Sequence, residues 1–395
     1  MPASVAEAIR RAVDPDRLVR TAMALIDAPS PTCQAGPAAD CLASLLNDIG
    51  LAAERPVADW PVAPAVVARL ASGRPGRTLQ FHGHLDTVHL PFVPARCADG
   101  VIYGSGAADM KGGLAAAVEA LRVLGELDAL PAGAVMLTAT DHHEGPWGDK
   151  RQLQALIRDR CYGDGVLIPE YLADRLPVAG RGLAIFSVLL ERDGAKVHEV
   201  LAPAGTPDLV AAGADLVQRF GALNRRLATR QREHAGCDSV FVGQFTCGEI
   251  YNQYPTECRL AGTRRWVAPG QEQAVRGEFD ATLAATAAAT GARVTGDFVV
   301  YADAFTLDPQ QPLVTAFQAA YSQVTGRQLP PGGKPFVDDG HTFAHQAGIP
   351  AITHGPAATG AHSLDEAVAV DELVRTAQVL ALTAVAFGPS NEGTR

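Results

Sequence analysis

The sequence predicts an α/β protein whose mostly parallel sheet is flanked by helices and whose chain carries a second, α+β domain as an insert. Strand patterns at residues 79–81 and 135–140 enclose a helical Ala/Leu run at 114–124, and this alternation is typical of parallel sheets. From Gly182 onward the order becomes strand, helix, strand, strand, helix, strand, which fits a ferredoxin-like unit. A chain of 395 residues is long enough for two domains.

The elements of both domains follow from hydrophobic periodicity. Helical spacing of apolar residues runs through 17–50 and is interrupted by prolines between 29 and 37. In the insert we predict strands at 183–190, 239–246, 256–266 and 294–301, with helices at 209–220 and 271–290. The first pattern resumes near Pro309 with a helix at 313–324. We therefore expect one domain of residues 1–180 and 302–395 and an inserted domain of residues 181–301.

Composition excludes several classes of function. Lysine and arginine number 33 against 43 acidic residues, a net charge of −10, which argues against nucleic-acid and membrane partners. The seven cysteines form no C-x-x-C pair, so neither a disulfide framework nor a cysteine zinc site is expected. The charged N-terminus is unlike a signal peptide, and no apolar run reaches the ~20 residues of a membrane helix. We expect a cytoplasmic protein.

A group of histidines and carboxylates has the spacing of a metal site. His84 and Asp86 are two residues apart, so in a strand they share a face and the carboxylate can orient the imidazole of a ligand. Asp109 follows a glycine-containing segment that begins at Gly104, Glu170 ends an apolar strand, and His362 lies in a further glycine-containing motif. Such side chains after strands meet at one edge of a parallel sheet.

These motifs together resemble one family. The chain carries His-x-Asp at His84, Gly-x-Gly-x-x-Asp-Met-Lys-Gly-Gly from Gly104, and Gly-x-His-x-x-Asp-Glu from Gly360. In this it resembles the aminoacylase and carboxypeptidase metallohydrolases, which include acetylornithine deacetylase, succinyl-diaminopimelate desuccinylase and the glutamate carboxypeptidases. The resemblance covers nearly the whole chain. It implies a di-metal aminopeptidase-like catalytic domain, with the insert serving as a lid and as a surface for a homodimer.

The resemblance also implies a set of ligands for one or two divalent ions. The first ion would take His84, Asp109 and Glu170, and the second would share Asp109 and add His362 and one further ligand. Zinc is the expected metal, with manganese or cobalt as alternatives.

The further ligand and the general base lie in an irregular stretch. Where the family has Asp-Glu-Glu, this chain reads Asp141-His142-His143-Glu144. Aligned on Asp141, His142 takes the place of the base and His143 that of the ligand. Shifted by one residue, His143 takes the place of the base and Glu144 that of the ligand. A histidine suits proton transfer because its unperturbed pKa is ~6.5.

Four residues outside these motifs are expected near the substrate. By resemblance, His198 in the insert would stabilise the oxyanion of the tetrahedral intermediate. Asn252 and Arg265 match two further substrate-side positions, and an arginine can hold a carboxylate in a bidentate pair. Asp339 matches a loop near the substrate.

The function expected from these residues is hydrolysis of a C–N bond by a metal-activated water. The substrate would be a small molecule with an amide and a free carboxylate, such as an N-acyl amino acid or a short peptide. Two alternatives remain open: hydrolytic removal of an amine from a non-peptide, for example aromatic, substrate on the same scaffold, and a metal-binding relative without catalysis.

Overall fold

The protein is described here by a computed structural model over residues 3–389, which divide into two compact units. The first unit contains the residues up to Val178, Leu307–Gly332 and the residues from Asp338 onward. The second contains Ala179–Thr306 and Gly333–Val337. These divisions lie close to the predicted ones at 180/181 and 301/302, and they differ chiefly in giving the short segment 333–337 to the second unit.

The helices and strands are named in chain order. The helices are α1 (Ala3–Ala12), α2 (Pro15–Ile26), α3 (Gly36–Asp48), α4 (Lys111–Glu126), α5 (Arg151–Arg158), α6 (Leu209–Leu227), α7 (Glu272–Thr290), α8 (Pro312–Thr325), α9 (Asp339–Thr342) and α10 (Val370–Phe387). The strands are β1 (Val66–Ala71), β2 (Thr78–His84), β3 (Arg96–Ala98), β4 (Val101–Tyr103), β5 (Ala134–Thr140), β6 (Gly165–Ile168), β7 (Leu176–Gly180), β8 (Gly182–Glu191), β9 (Val197–His198), β10 (Gln231–Arg232), β11 (Gly236–Cys237), β12 (Ser239–Cys247), β13 (Gln253–Tyr254), β14 (Glu257–Trp266), β15 (Arg293–Ala302), β16 (Phe305–Thr306), β17 (Pro331–Lys334), β18 (Ala351–Thr353), β19 (Ala358–Thr359) and β20 (Ala367–Ala369).

The first unit is built on a sheet with the strand order β1-β5-β2-β6-β18. β1 is antiparallel to β5, and the remaining neighbours are parallel. Every residue of β5 is buried, as expected for a strand covered on both faces. The Ala-rich α4 is buried along almost its whole length and packs against α2 and α10. The predicted α/β class with a mostly parallel sheet is confirmed.

The carboxyl ends of the central strands bring the candidate ligands to one edge of this sheet. In the register of β2 and β5, His84 lies opposite Thr140, so the irregular stretch that follows Thr140 begins beside His84. On the other side of β2, strand β6 ends at Ile168, two residues before Glu170. Ligands that are far apart in the sequence therefore become neighbours because parallel strands end together.

The second unit contains an antiparallel sheet with the strand order β12-β14-β8-β15. Together with α6 and α7 it follows the strand-helix-strand-strand-helix-strand order of a ferredoxin-like fold. Aromatic side chains from the sheet and both helices pack at its core; they are Phe186, Phe220, Phe279 and Phe298. The predicted insert is confirmed. Among residues 3–389, no helix is both long enough and apolar enough to cross a membrane.

Candidate metal centre and active site

The imidazole of His84 is held between a backbone carbonyl and the carboxylate of Asp109. His84 Nδ1 donates to the carbonyl oxygen of Asp86 at 2.9 Å, and His84 Nε2 lies 3.0 Å from Asp109 Oδ1. A carbonyl can only accept, so in a neutral ring the proton is on Nδ1 and a lone pair on Nε2 faces the carboxylate. Two electron-rich atoms this close need a cation between them, either a proton or a metal ion.

The second oxygen of Asp109 faces another histidine. His362 Nε2 lies 3.2 Å from Asp109 Oδ2 and 3.1 Å from Glu144 Oε1. Hydrogen bonds to Asp109 and then Glu144 raise the pKa of His362 to about 10, so the two carboxylates strongly favour positive charge at this place. Asp109 thus directs one oxygen to each of the two histidines.

Glu170, which follows strand β6 on the other side of β2, completes the cluster. Its side chain is buried, and its Oε2 has no hydrogen-bond partner among the described residues. Burial, and next the charge of Asp109, raise the pKa of Glu170 to about 8. Single atoms of His84, His143 and Glu170 lie within 4.8 Å of one another, as do single atoms of His84, Asp109 and Glu144.

This donor set fits divalent metal ions. Three buried carboxylates, those of Asp109, Glu144 and Glu170, converge with no buried lysine or arginine hydrogen-bonded to them in the described part of the chain. Carboxylate oxygens and imidazole nitrogens are ligands for zinc, manganese and cobalt. The orphaned oxygen of Glu170 and the lone pair of His84 are the features that a bound cation would satisfy.

Asp86 acts on the irregular stretch more directly than on His84. Its carboxylate accepts the backbone N–H groups of His143 at 3.0 Å and Glu144 at 2.9 Å. The nearest carboxylate oxygen is 3.7 Å from His84 Nδ1, which is outside hydrogen-bond distance. The sequence predicted that the carboxylate of Asp86 orients His84. In the structure its backbone carbonyl takes that place, because the side chain is used by the following loop.

His142 packs away from the ligand cluster. Its Nδ1 lies 3.7 Å from Cys33 Sγ and 3.4 Å from Asp149 Oδ1, and its ring meets the indole of Trp60 edge-on. Its backbone has a φ of +69°, a left-handed conformation that turns the chain. Burial lowers the pKa of His142. This position suits a packed side chain better than the base predicted by the first alignment.

His143 occupies the place beside the ligands. Its ring stacks on His84 with the ring centroids 4.0 Å apart, and its Nδ1 lies 3.0 Å from Asp339 Oδ1. Burial is the largest effect and lowers the pKa of His143, but the charge and the close contact of Asp339 together outweigh it, and the net shift of the pKa is upward. Glu144 lies beside Asp109 and His362, where the second alignment expects a ligand, while an atom of His143 also lies within 4.8 Å of atoms of His84 and Glu170, where the first alignment expects one.

Asp339 lies within the protein behind His143, whereas the sequence predicted a contact with substrate. It is 2% exposed, and besides His143 it contacts Lys150 Nζ at 3.3 Å and His82 Nε2 at 3.0 Å. Burial raises the pKa of Asp339, but the charges of His143 and Lys150 hold it well below its usual value. Each of its oxygens already faces a positive or donating side chain, so we revise the expected role.

In the second unit the structure brings together two of the three predicted residues. β9 pairs with β13, and Asn252 Nδ2 lies 3.0 Å from His198 Nε2. No hydrogen bond or ion pair within residues 3–389 joins the Arg265 side chain to either of them. Burial, and next the charge of Arg181, lower the pKa of Arg265. Its neighbour Arg264 is instead committed to buried ion pairs.

Comparisons with known proteins place this geometry in a family. The model of the family described as Peptidase family M20/M25/M40 matches residues 80–386. The chain belongs to this family. It is 28% identical over 411 residues to a succinyl-diaminopimelate desuccinylase of Methylobacterium radiotolerans, covering 95% of this chain and 98% of that protein.

Solved structures share the fold. Aminopeptidase PepT from Bacillus cereus has a TM-score of 0.80 at 20% identity, over 95% of this chain and 99% of that chain. A dinuclear metal-binding peptidase of family M20 from Bacillus subtilis has a TM-score of 0.70 at 17% identity, over 94% and 97%. The predicted resemblance is confirmed, and so is the predicted class of enzyme: the chain is a hydrolase of C–N bonds in a metal-dependent family.

Sequence reasoning did not assign three residues that support the M20 centre. Lys150 and His82 hold Asp339, and Glu366 accepts the backbone N–H groups of Ala108 and Asp109 at 3.1 Å each. Glu366 thereby fixes the turn that presents Asp109. It closes the Gly-x-His-x-x-Asp-Glu motif, so the motif contained this signal. Lys150 itself has a left-handed backbone, with a φ of +59°, and had no comparable pattern around it.

Proposed function

We propose that this protein hydrolyses the amide bond of a small substrate that carries a free carboxylate, such as an N-acyl amino acid or a short peptide. Membership of family M20 and the similarity to a desuccinylase and to peptidases support this substrate class. The observation that carries the proposal is the position of Asp109, whose two oxygens face His84 and His362.

In this proposal the metal ligands follow the second alignment. His84, Asp109 and Glu170 would hold one divalent ion, and Asp109, Glu144 and His362 would hold a second. Zinc is the proposed metal, because carboxylates and imidazoles are its usual partners in hydrolases. When bound, such ions polarise the scissile carbonyl and increase the acidity of water.

His143 moves the proton. Its Nδ1 lies 3.0 Å from Asp339 Oδ1 as an ion pair without hydrogen-bond alignment, and in this proposal the opposite ring nitrogen serves a water molecule and then the leaving amine. A histidine can accept the proton from the attacking water and deliver it to the amine nitrogen, as a glutamate does in other general-base hydrolases. The ion pair with Asp339 stabilises the imidazolium between these two transfers.

Two further substrate contacts are proposed from the resemblance to the family. His198 is proposed to donate to the oxyanion from Nε2 as the carbonyl becomes tetrahedral, once a substrate displaces Asn252 Nδ2, from which Nε2 accepts at 3.0 Å in the structure. Arg265 is proposed to hold the substrate carboxylate, since its guanidinium has no ion pair within the described residues. The homodimer stays a prediction, as does the cytoplasmic location, which the free cysteines of the described chain support.

The test measures metal content and hydrolysis together in purified wild type, His143→Ala and Glu144→Ala. The panel contains N-acyl amino acids and short peptides, each assayed with zinc, manganese and cobalt. We expect Glu144→Ala to lose metal, and His143→Ala to retain metal while losing most of its turnover. The opposite pattern would restore the first alignment. Wild type that binds metal but hydrolyses none of the panel would contradict the proposed function and favour the aromatic-amine or non-catalytic alternative.

A further inference from the structure

Arg192 is a buried arginine that binds only backbone carbonyls. It follows the last residue of β8 and is 8% exposed. Its guanidinium donates four hydrogen bonds, all of 2.8–3.0 Å, to carbonyl oxygens; these belong to Pro255, Asp193, Ala195 and Tyr254. No ion pair within residues 3–389 includes Arg192, although a buried charge usually has a carboxylate partner. The hydrogen bonds of this side chain therefore serve to stabilise the conformation of the surrounding backbone.

The four carbonyls belong to two segments that lead to the proposed oxyanion residues. Residues 193–195 lead directly into β9, which ends at His198. Tyr254 is the last residue of β13 and Pro255 follows it. Asn252 directly precedes the same strand. The guanidinium thus joins the segment before His198 to the segment after Asn252, the two residues whose side chains meet at 3.0 Å.

Besides an ion pair between exposed Lys196 and Glu249 at 2.7 Å and a hydrogen bond from the N–H of Glu199 to the carbonyl of Asn252 at 3.1 Å, these segments have little other support. β9 and β13 pair over only two residues each. The apolar side chains beside them are exposed: Val200 is 74% exposed, Ile250 52% and Tyr251 fully. Without a buried apolar face, a ribbon of this length has little intrinsic stability. The hydrogen bonds of Arg192 are therefore a main source of order for the ribbon.

We propose that Arg192 is a positioning residue that holds the β9–β13 ribbon in the conformation in which His198 and Asn252 act on the substrate. This inference rests on the proposed function, because it takes the role of His198 from there. A lysine cannot reproduce the four bonds, because an ammonium at the place of Nη2 could meet Ala195 and Tyr254 but would leave the carbonyls of Pro255 and Asp193, which Nε and Nη1 bind, without their donors. The planar guanidinium offers five donors in a fixed fork.

The experiment is a double-mutant cycle of Arg192→Lys and His198→Ala in the metal-loaded enzyme, with kcat and KM measured separately. Arg293→Lys is the matched control. Arg293 is an exposed arginine beside the same strand end that pairs with Glu191 and Asp193. Thermal unfolding checks that each variant is folded, and Arg192→Gln replaces Arg192→Lys if the lysine variant is not. Hydrogen exchange over 193–198 and 252–256 reports the order of the ribbon.

We expect Arg192→Lys to lower kcat about 10-fold to 100-fold, as misplacement of a catalytic group by about 1 Å does. Its ribbon amides should exchange faster, and the double variant should be no slower than His198→Ala alone. Arg293→Lys should match wild type. Wild-type kcat in Arg192→Lys, or effects of the two changes that multiply, would overturn the positioning role. If His198→Ala keeps full activity, the proposed role of His198 fails and the inference fails with it. If Arg192→Lys shows faster hydrogen exchange in the ribbon but wild-type kcat, Arg192 has only a structural role and the inference is overturned.

Discussion

Gly113 offers a sharp test of how tightly the helix α4 is built against the metal centre. A Cβ atom on Gly113 would lie 1.8 Å from the carbonyl oxygen of Pro169, the residue before Glu170. Contacts of real Cβ atoms are essentially never below 3.0 Å, so the helix or the strand end must move by more than 1 Å. Backbone cannot swing aside as a flexible side chain can, and we expect Gly113→Ala to displace Glu170.

The energetic cost of the steric clash at Gly113 can be separated from the change in helix propensity by comparison with Gly125, which lies on the same helix. A Cβ on Gly125 meets only Leu70 Cδ1, at an ordinary 3.9 Å. Gly125→Ala should therefore stabilise the protein by up to about 1 kcal/mol, because alanine is the better helix former. Gly113→Ala gains the same term but adds the cost of overpacking, about 1–3 kcal/mol. The difference between the two variants isolates this cost.

Two assays read the consequences of Gly113→Ala. Urea unfolding of the metal-free variants gives the free energy of unfolding, and competition with a chelator gives the metal affinity. We expect Gly113→Ala to lie about 1–3 kcal/mol below Gly125→Ala in stability. We expect its metal affinity to fall about 10-fold to 100-fold, as when the support of a ligand is lost. Equal stability and equal affinity of the two variants would refute the reasoning.

Three further predictions concern charge. Asp339→Asn should lower kcat/KM about tenfold with metal content unchanged, because an amide does not hold His143 in its imidazolium form; loss of metal would contradict this. Burial, and next the charge of Arg375, lower the pKa of His354 to about 3. Below pH ~6.5 the unfolded chain therefore binds a proton that the folded protein does not. The free energy of unfolding then decreases as the pH is lowered from about 6.5 towards 3. In urea unfolding at pH 7.5 and 5.5, His354→Gln should show about 1 kcal/mol less of this loss, and an unchanged loss would exclude the assignment. Removing metal with a chelator should lower the unfolding temperature, since the carboxylate of Glu170 then faces those of its neighbours without a cation; an unchanged temperature would count against a metal in the site.

Much of the fold could be predicted because it depends on local patterns. The predicted strand 183–190 corresponds to β8 and the predicted helix 271–290 to α7, within a residue or two. Both elements follow from the spacing of apolar residues, which every stable arrangement of the chain has to bury. The order of the strands in the sheets was less accessible. It was not predicted, since pairing depends on contacts that are distant in sequence; only the type of architecture followed from the order of elements along the chain.

The irregular stretch shows where sequence reasoning stopped. Counting residues along an extended strand leaves His142 and His143 as equivalent candidates. The backbone is left-handed at His142, so the residues after it do not continue the alternation of the extended strand. The carboxylate of Asp86 binds the N–H groups of the next two residues, His143 and Glu144. These two features place Glu144 beside His362. Neither is visible in the spacing of residues, because each depends on a partner from another strand.

The sequence by itself determined the chemistry available to this protein: the family, the α/β and inserted α+β architecture, and the histidines and carboxylates of the centre. These follow from residue type and order, which also decide what has to be buried. Only the tertiary structure decided what each group faces. It placed Asp339 behind His143, committed the carboxylate of Asp86 to backbone amides, and set Arg192 between two segments. Distances between groups far apart in the chain arise from packing, and a linear sequence does not contain them.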